Sequence, residues 1–138
     1  MTIKVEQLPG EPILVATFAE PMDFHEDTPR MFQQFIERRD TDLVGYSRYY
    51  TVIDTTHVRI GFSDIVTTLG ESRLASQQRR EDISVTLILV GSGRLMELAT
   101  KAVGQNQYGN YGMRLFTSLD EALEIVREEL ADIAALES

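Results

Sequence analysis

The sequence predicts an α/β domain: a mixed, mainly parallel five-stranded sheet with four helices in the order β-β-α-β-α-β-α-β-α. Three observations carry that prediction. Short runs rich in β-branched and aromatic residues alternate with segments of helical periodicity, the pattern of strands joined by helical crossovers. The run from Ile83 to Val90 ends in unbroken Leu87-Ile88-Leu89-Val90, as in a central strand covered on both faces. The first two runs are separated only by a turn, too short for a crossover, so they form an antiparallel hairpin at one edge.

Each element has a local reason. Thr2 to Gln7 alternates Ile3 and Val5 with polar neighbours, Leu8-Pro9-Gly10 turns the chain, and Glu11 to Ala19 carries Ile13, Leu14, Val15 and Phe18. A helix is expected from Thr28 as N-cap, with Pro29 at its first position. Phe32, Phe35 and Ile36 would share one face, and Arg38 and Arg39 would suit its negative end. Asp40 to Gly45 reads as a loop and Tyr49 to Asp54 as a strand. Ser63 stands where an N-cap belongs, before Ile65, Val66 and Leu69 at helical spacing. Ala75 to Asp82 reads as an exposed connection. Gly91-Ser92-Gly93 then turns into a helix burying Leu95, Leu98, Ala99 and Ala102. After the loop Gln105–Gly112, Met113 to Phe116 is a short strand. In the last helix Ser118 and Glu121 form a capping box, and Leu119, Leu123, Val126, Leu130 and Ile133 trace an apolar stripe.

Composition bounds the function. At 138 residues and 43% apolar content, the chain can bury a core as one domain over residues 1–138, and no linker or repeat divides it. There is no cysteine, which removes disulfides and thiolate chemistry and favours a reducing compartment. With no long apolar run and no signal-like start, a cytoplasmic location is expected. A net charge of -9 opposes nucleic acid and anionic membranes as partners.

No catalytic group stands out. His25, in Asp23-Phe24-His25-Glu26-Asp27, has ligand types beside it but not the i, i+4 spacing that aims them at one metal ion. His57, in Thr55-Thr56-His57-Val58, reads as an exposed loop histidine. Gly91, Ser92 and Gly93 follow a strand and open a helix, a place where N–H groups can hold an anion. No lysine or third glycine completes a phosphate-binding loop, so the turn is read first as structural. Arg73, Arg79 and Arg80 either meet an acidic partner or solubilise a loop. Tyr108 and Tyr111, among amides and glycines, fit an adaptable contact surface or the edge of the core. The acidic residues of the last helix are its solvated face.

The stretch from Asp54 to Leu69, Asp-Thr-Thr-His-Val-Arg-Ile-Gly-Phe-Ser-Asp-Ile-Val-Thr-Thr-Leu, resembles the signature of STAS domains, the anti-sigma-factor antagonist family, in which a strand ends in Asp, a loop follows and a Ser-started helix comes next. Val90–Gly93, Gln107–Gly109 and Leu119–Leu123 are similar to segments of a divergent STAS-like group of bacterial proteins. The chain departs from the family at Phe62, where the family has an acidic residue, and at Ile65, where it has glycine. The resemblance implies the same fold and a non-catalytic regulatory module that binds another protein, such as an anti-sigma-type kinase. It places the phosphoacceptor at Ser63, with Asp54 at the strand end. No cofactor or metal is implied. The alternative from the residues is a small-ligand or anion-binding domain using the loops Asp54–Ser63 and Val90–Gly93. A homo-oligomer through Tyr108–Tyr111 or the hairpin edge is a third expectation.

Overall fold

The computed structural model describes residues 3–76, 82–94, 97 and 114–137. Its elements are β1 (Ile3–Gln7), β2 (Ile13–Phe18), α1 (Phe24–Asp42), β3 (Arg48–Asp54), α2 (Phe62–Ser76), β4 (Ser84–Val90), β5 (Arg114–Phe116) and α3 (Leu119–Glu137). The strands lie in chain order, β1-β2-β3-β4-β5. β1 pairs antiparallel with β2, and every later pair is parallel. The hairpin edge on a mainly parallel sheet is therefore as expected. Three helices are described against the four expected. For the remaining one, Gly93, Arg94 and Glu97 are helical, while Leu95, Leu98, Ala99 and Ala102 lie outside the described residues.

Alternation along the strands sends residues to two cores. Leu14, Ala16 and Phe18 of β2, Tyr49 and Ile53 of β3, and Leu87 and Leu89 of β4 face α1 and α2, where Met31, Phe32, Phe35 and Ile65 cover them. Ile13 and Val15, Tyr50 and Val52, and Ile88 and Val90 face the other way, onto Ala122 and Val126 of α3. The expected stripe residues Leu119, Leu123 and Leu130 pack at the margin of this second core. α3 starts as predicted, with Ser118 Oγ accepting from the Glu121 N–H at 3.3 Å.

α1 starts earlier than expected. Its N-cap is Asp23, whose Oδ1 accepts from the N–H groups of His25 at 3.0 Å and Glu26 at 3.3 Å. Asp is as strong a cap as the chain offers. Phe24 at the first helical position is anchored edge-on to Phe18, with ring centroids 5.8 Å apart. Thr28 is then fully buried inside the helix, and its hydroxyl finds no partner among the described residues. Pro29 lies within α1 as well. The hydrogen bond it forgoes would have gone to the carbonyl of His25, an exposed residue in the first turn. The helix also runs on through Asp42, where an Arg38–Asp42 ion pair at 3.1 Å spans one turn. Only then does the chain turn, at Gly45 with φ +96°. Arg39 is buried, and its bond to Asp40 at 2.9 Å holds the guanidinium charged.

Across the second core, the Tyr50 hydroxyl donates to Glu129 Oε2 at 2.9 Å, and Arg114 pairs with the other oxygen of Glu129. Burial, then the hydrogen bond to Glu129, pushes the Tyr50 phenol up to about 12. The unfolded phenol ionises near its ordinary value of about 10. The folded state therefore keeps a proton that the unfolded state has lost, and stability falls as pH rises from about 10 to about 12. Buried Tyr49 is shifted the same way, chiefly by desolvation. Tyr50→Phe is expected to flatten part of this alkaline loss, read from denaturation midpoints across that range. An unchanged slope would contradict the assignment.

Candidate functional site

The carboxyl ends of the parallel strands lie level, with Thr17 beside Asp54, Asp54 beside Val90, and Val90 beside Phe116. In an open parallel sheet this is the end where ligands and partners are met. The loop from Thr55 to Gly61 crosses it. Asp54 Oδ1 accepts from the N–H of Thr56 at 3.0 Å and from its hydroxyl at 2.7 Å. Thr55 is buried, and both its N–H (2.9 Å) and its hydroxyl (2.8 Å) donate to the Val90 carbonyl. Farther on, the Arg59 N–H donates to Glu20 Oε1 at 2.9 Å. Val58 and Ile60 pack partly buried on the first core. The result is an anchored loop that turns His57 and Arg59 outward.

At the start of α2 the helix differs from expectation. The first helical hydrogen bond runs from Ile65 N–H to the Gly61 carbonyl at 3.2 Å, which makes Gly61 the N-cap. Asp64, three residues on, reaches back with Oδ2 to the Gly61 N–H at 2.9 Å, one half of a capping box. Ser63 is thus the second helical residue and not the cap. It is exposed, and among the described residues its hydroxyl makes no hydrogen bond, only its carbonyl accepting from Thr67 at 2.9 Å. Phe62 beside it is 36% exposed.

The structure sets Asp54 and the start of its loop beside the chain that leads into Gly91, Ser92 and Gly93, because Thr55 is bonded to the last residue of β4; His57, Phe62 and Ser63 follow farther along that loop and at the start of α2. Their roles differ. Asp54, only 4% exposed, staples the loop. Gly91 is buried, and its N–H donates to the Phe116 carbonyl at 3.0 Å, so that donor extends the sheet and is not free for an anion. Ser92 and Gly93 are exposed, and a methyl added at Gly93 would meet nothing within 4 Å. Tyr108 and Tyr111 lie outside the described residues, as do Arg79 and Arg80.

Sequence reasoning did not single out Arg59. Its guanidinium joins no ion pair among the described residues. The alternation His57-Val58-Arg59-Ile60 held the signal, since period two in a loop marks inward and outward sides. Among the described residues no helix is long and apolar enough to cross a membrane, and no cluster of ligand side chains could hold a metal. At the opposite end of the sheet an open groove of about 450 Å³ runs past Pro12, Tyr46, Arg48 and Leu130, and Glu11 and Arg127 pair there at 2.9 and 3.0 Å. In comparisons with known proteins, no family model, curated protein or solved structure matches this chain.

Proposed function

We propose that this chain is a non-catalytic, STAS-like regulatory domain that binds another protein through the loop Thr55–Gly61 and the start of α2, with Ser63 as the phosphoacceptor. One observation carries the reading: Ser63 is exposed at the helix start while Gly61 and Asp64 do the capping. The serine is therefore not needed to begin α2. Phosphate there would place nearly two negative charges beside the positive end of the helix. The fold survives that change, while the exposed start of α2 beside Phe62 gains the negative charge that a partner would sense. The strand ending in Asp54, the loop and the helix start also keep the order that the resemblance implies.

Incubation with ATP and serine kinases of the anti-sigma type, followed by mass spectrometry and gel filtration, tests this. Phosphate on Ser63 and a complex that the Ser63→Glu variant weakens are the expected results. Neither phosphate nor complex with any such kinase would end the proposal. A stability control belongs with it. Ser63→Ala is expected to change unfolding free energy by less than about 0.5 kcal/mol, whereas Asp64→Ala loses about 0.5–1 kcal/mol with its cap bond. A loss near 1 kcal/mol at Ser63, read by urea denaturation, would restore the capping role.

A second reading is favoured by the bonding of Thr55 to Val90, which brings the two strand-end loops side by side. There the loops Asp54–Ser63 and Val90–Gly93 would receive a small ligand or anion, with Asp54 holding its loop in place beneath it. Thermal-shift screening of nucleotides, phosphates and small acids separates the two. A ligand at about 100 times its dissociation constant adds about 2.7 kcal/mol, and a flat screen removes this second reading.

A further inference from the structure

β1 is an edge strand whose hydrogen-bonding phase can be worked out. The Leu8 N–H donates to the Ile13 carbonyl at 3.0 Å. Hydrogen-bonded pairs alternate along an antiparallel ladder, so Glu6 with Val15 and Lys4 with Thr17 are bonded to β2. Ile3, Val5 and Gln7 therefore turn their N–H and C=O groups to the free edge. The Val5 carbonyl bears this out, because it accepts from Arg38 Nη2 at 3.5 Å. Ile3 and Val5 are buried with the α1 side chains in the first core. Lys4 and Glu6 point to the other face as an exposed ion pair at 3.8 Å, with 75% and 48% of their side chains exposed, and such a pair is held weakly enough to exchange partners.

We propose that β1 is a dimerisation edge: two copies of this chain pair their β1 strands antiparallel about a two-fold axis at Val5, with Lys4 of each opposite Glu6 of the other. In this register Ile3 meets the partner's Gln7, Val5 meets the partner's Val5, and Gln7 meets the partner's Ile3. All are hydrogen-bonded pairs, so each outward N–H and C=O is satisfied. Lys4 and the partner's Glu6 then fall at non-hydrogen-bonded positions, where side chains come closest. Charge also selects the register. A slip of one ladder step in one direction sets Lys4 against the partner's Lys4, and in the other direction Glu6 against the partner's Glu6. The segment is self-complementary, as a two-fold interface requires. A second copy fits it better than a foreign strand for that reason. Arg38 must give up its long hydrogen bond to the Val5 carbonyl, at 3.5 Å the weaker of its two contacts beside the 3.1 Å pair with Asp42.

Analytical ultracentrifugation of the full chain from micromolar to near-millimolar concentration tests this. The chain is expected to dimerise. Lys4→Glu alone and Glu6→Lys alone should each weaken association about tenfold or more, and the double exchange should restore it. Circular dichroism checks that each variant folds. Amide exchange gives a second measurement, with the Val5 N–H becoming more protected as concentration rises. A monomer at every concentration, a dimer indifferent to the exchanges, a double exchange that fails to rescue, or Val5 protection independent of concentration would each overturn it. The proposal does not rest on Ser63, and Ser63→Ala should leave the association unchanged.

Discussion

Phe18→Ala is expected to lower the unfolding free energy by about 3–5 kcal/mol, the range for truncating a fully buried aromatic ring. Phe18 has no exposed surface. It ends β2, meets Phe24 of α1 edge-on, and borders a small void with Ile60, Ile65, Leu87 and Leu89. One side chain therefore supports two helices and the loop above them. Removing the ring takes away contacts to all of these neighbours at once, and the cost rises with whatever cavity they leave unfilled. Urea denaturation of the variant measures the loss. A loss under about 1 kcal/mol would mean that the site collapses, and the buttressing assigned to Phe18 would be wrong. Phe18→Leu keeps most of the volume and is expected to lose much less.

Asp54→Ala is expected to cost about 2–3 kcal/mol, because two hydrogen bonds to a charged acceptor disappear from a buried position. Asp54→Asn keeps an acceptor oxygen for Thr56 and should lose only about half as much. Urea denaturation reads the stability, and amide exchange across Thr55–Gly61 reads the loop. Faster exchange there is the expected result. If Asp54→Ala abolishes ligand or partner binding with stability and exchange unchanged, Asp54 is a contact residue and not a staple.

How legible the molecule was depends on what each signal measures. Strand positions were readable because burial on two faces demands continuous apolar runs, as at Leu87–Val90, and burial on one face demands alternation, as at Ile3–Gln7. The start of α3 was equally plain, since Ser118 and Glu121 act within one turn. The start of α1 was not. Thr28-Pro29 carries the local signal of a helix start, but Asp23 caps as well, and Phe24 gains a core contact with Phe18 that lies outside any local window. The same happened at Ser63. The serine is a good cap by type, yet the back-bond from Asp64 to Gly61 sets the boundary two residues earlier.

The candidate site divides in the same way. Asp54, His57, Phe62 and Ser63 are close in sequence, so their nearness was readable. Their roles were not, because a buried carboxylate bonded to its own loop and a solvent-facing one look alike in a string of letters. Joining this loop to Gly91–Gly93 needed the pairing of β3 with β4, which places Thr55 against the Val90 carbonyl.

By itself the sequence determined the α/β alternation, the antiparallel hairpin at its start and the apolar stripe of α3, all consequences of side-chain periodicity within single elements. Tertiary structure decided the order β1-β2-β3-β4-β5, which face each helix covers and which residue caps each helix where two candidates compete. Those choices turn on contacts between residues far apart in the chain, where burial and hydrogen bonding outweigh local preference.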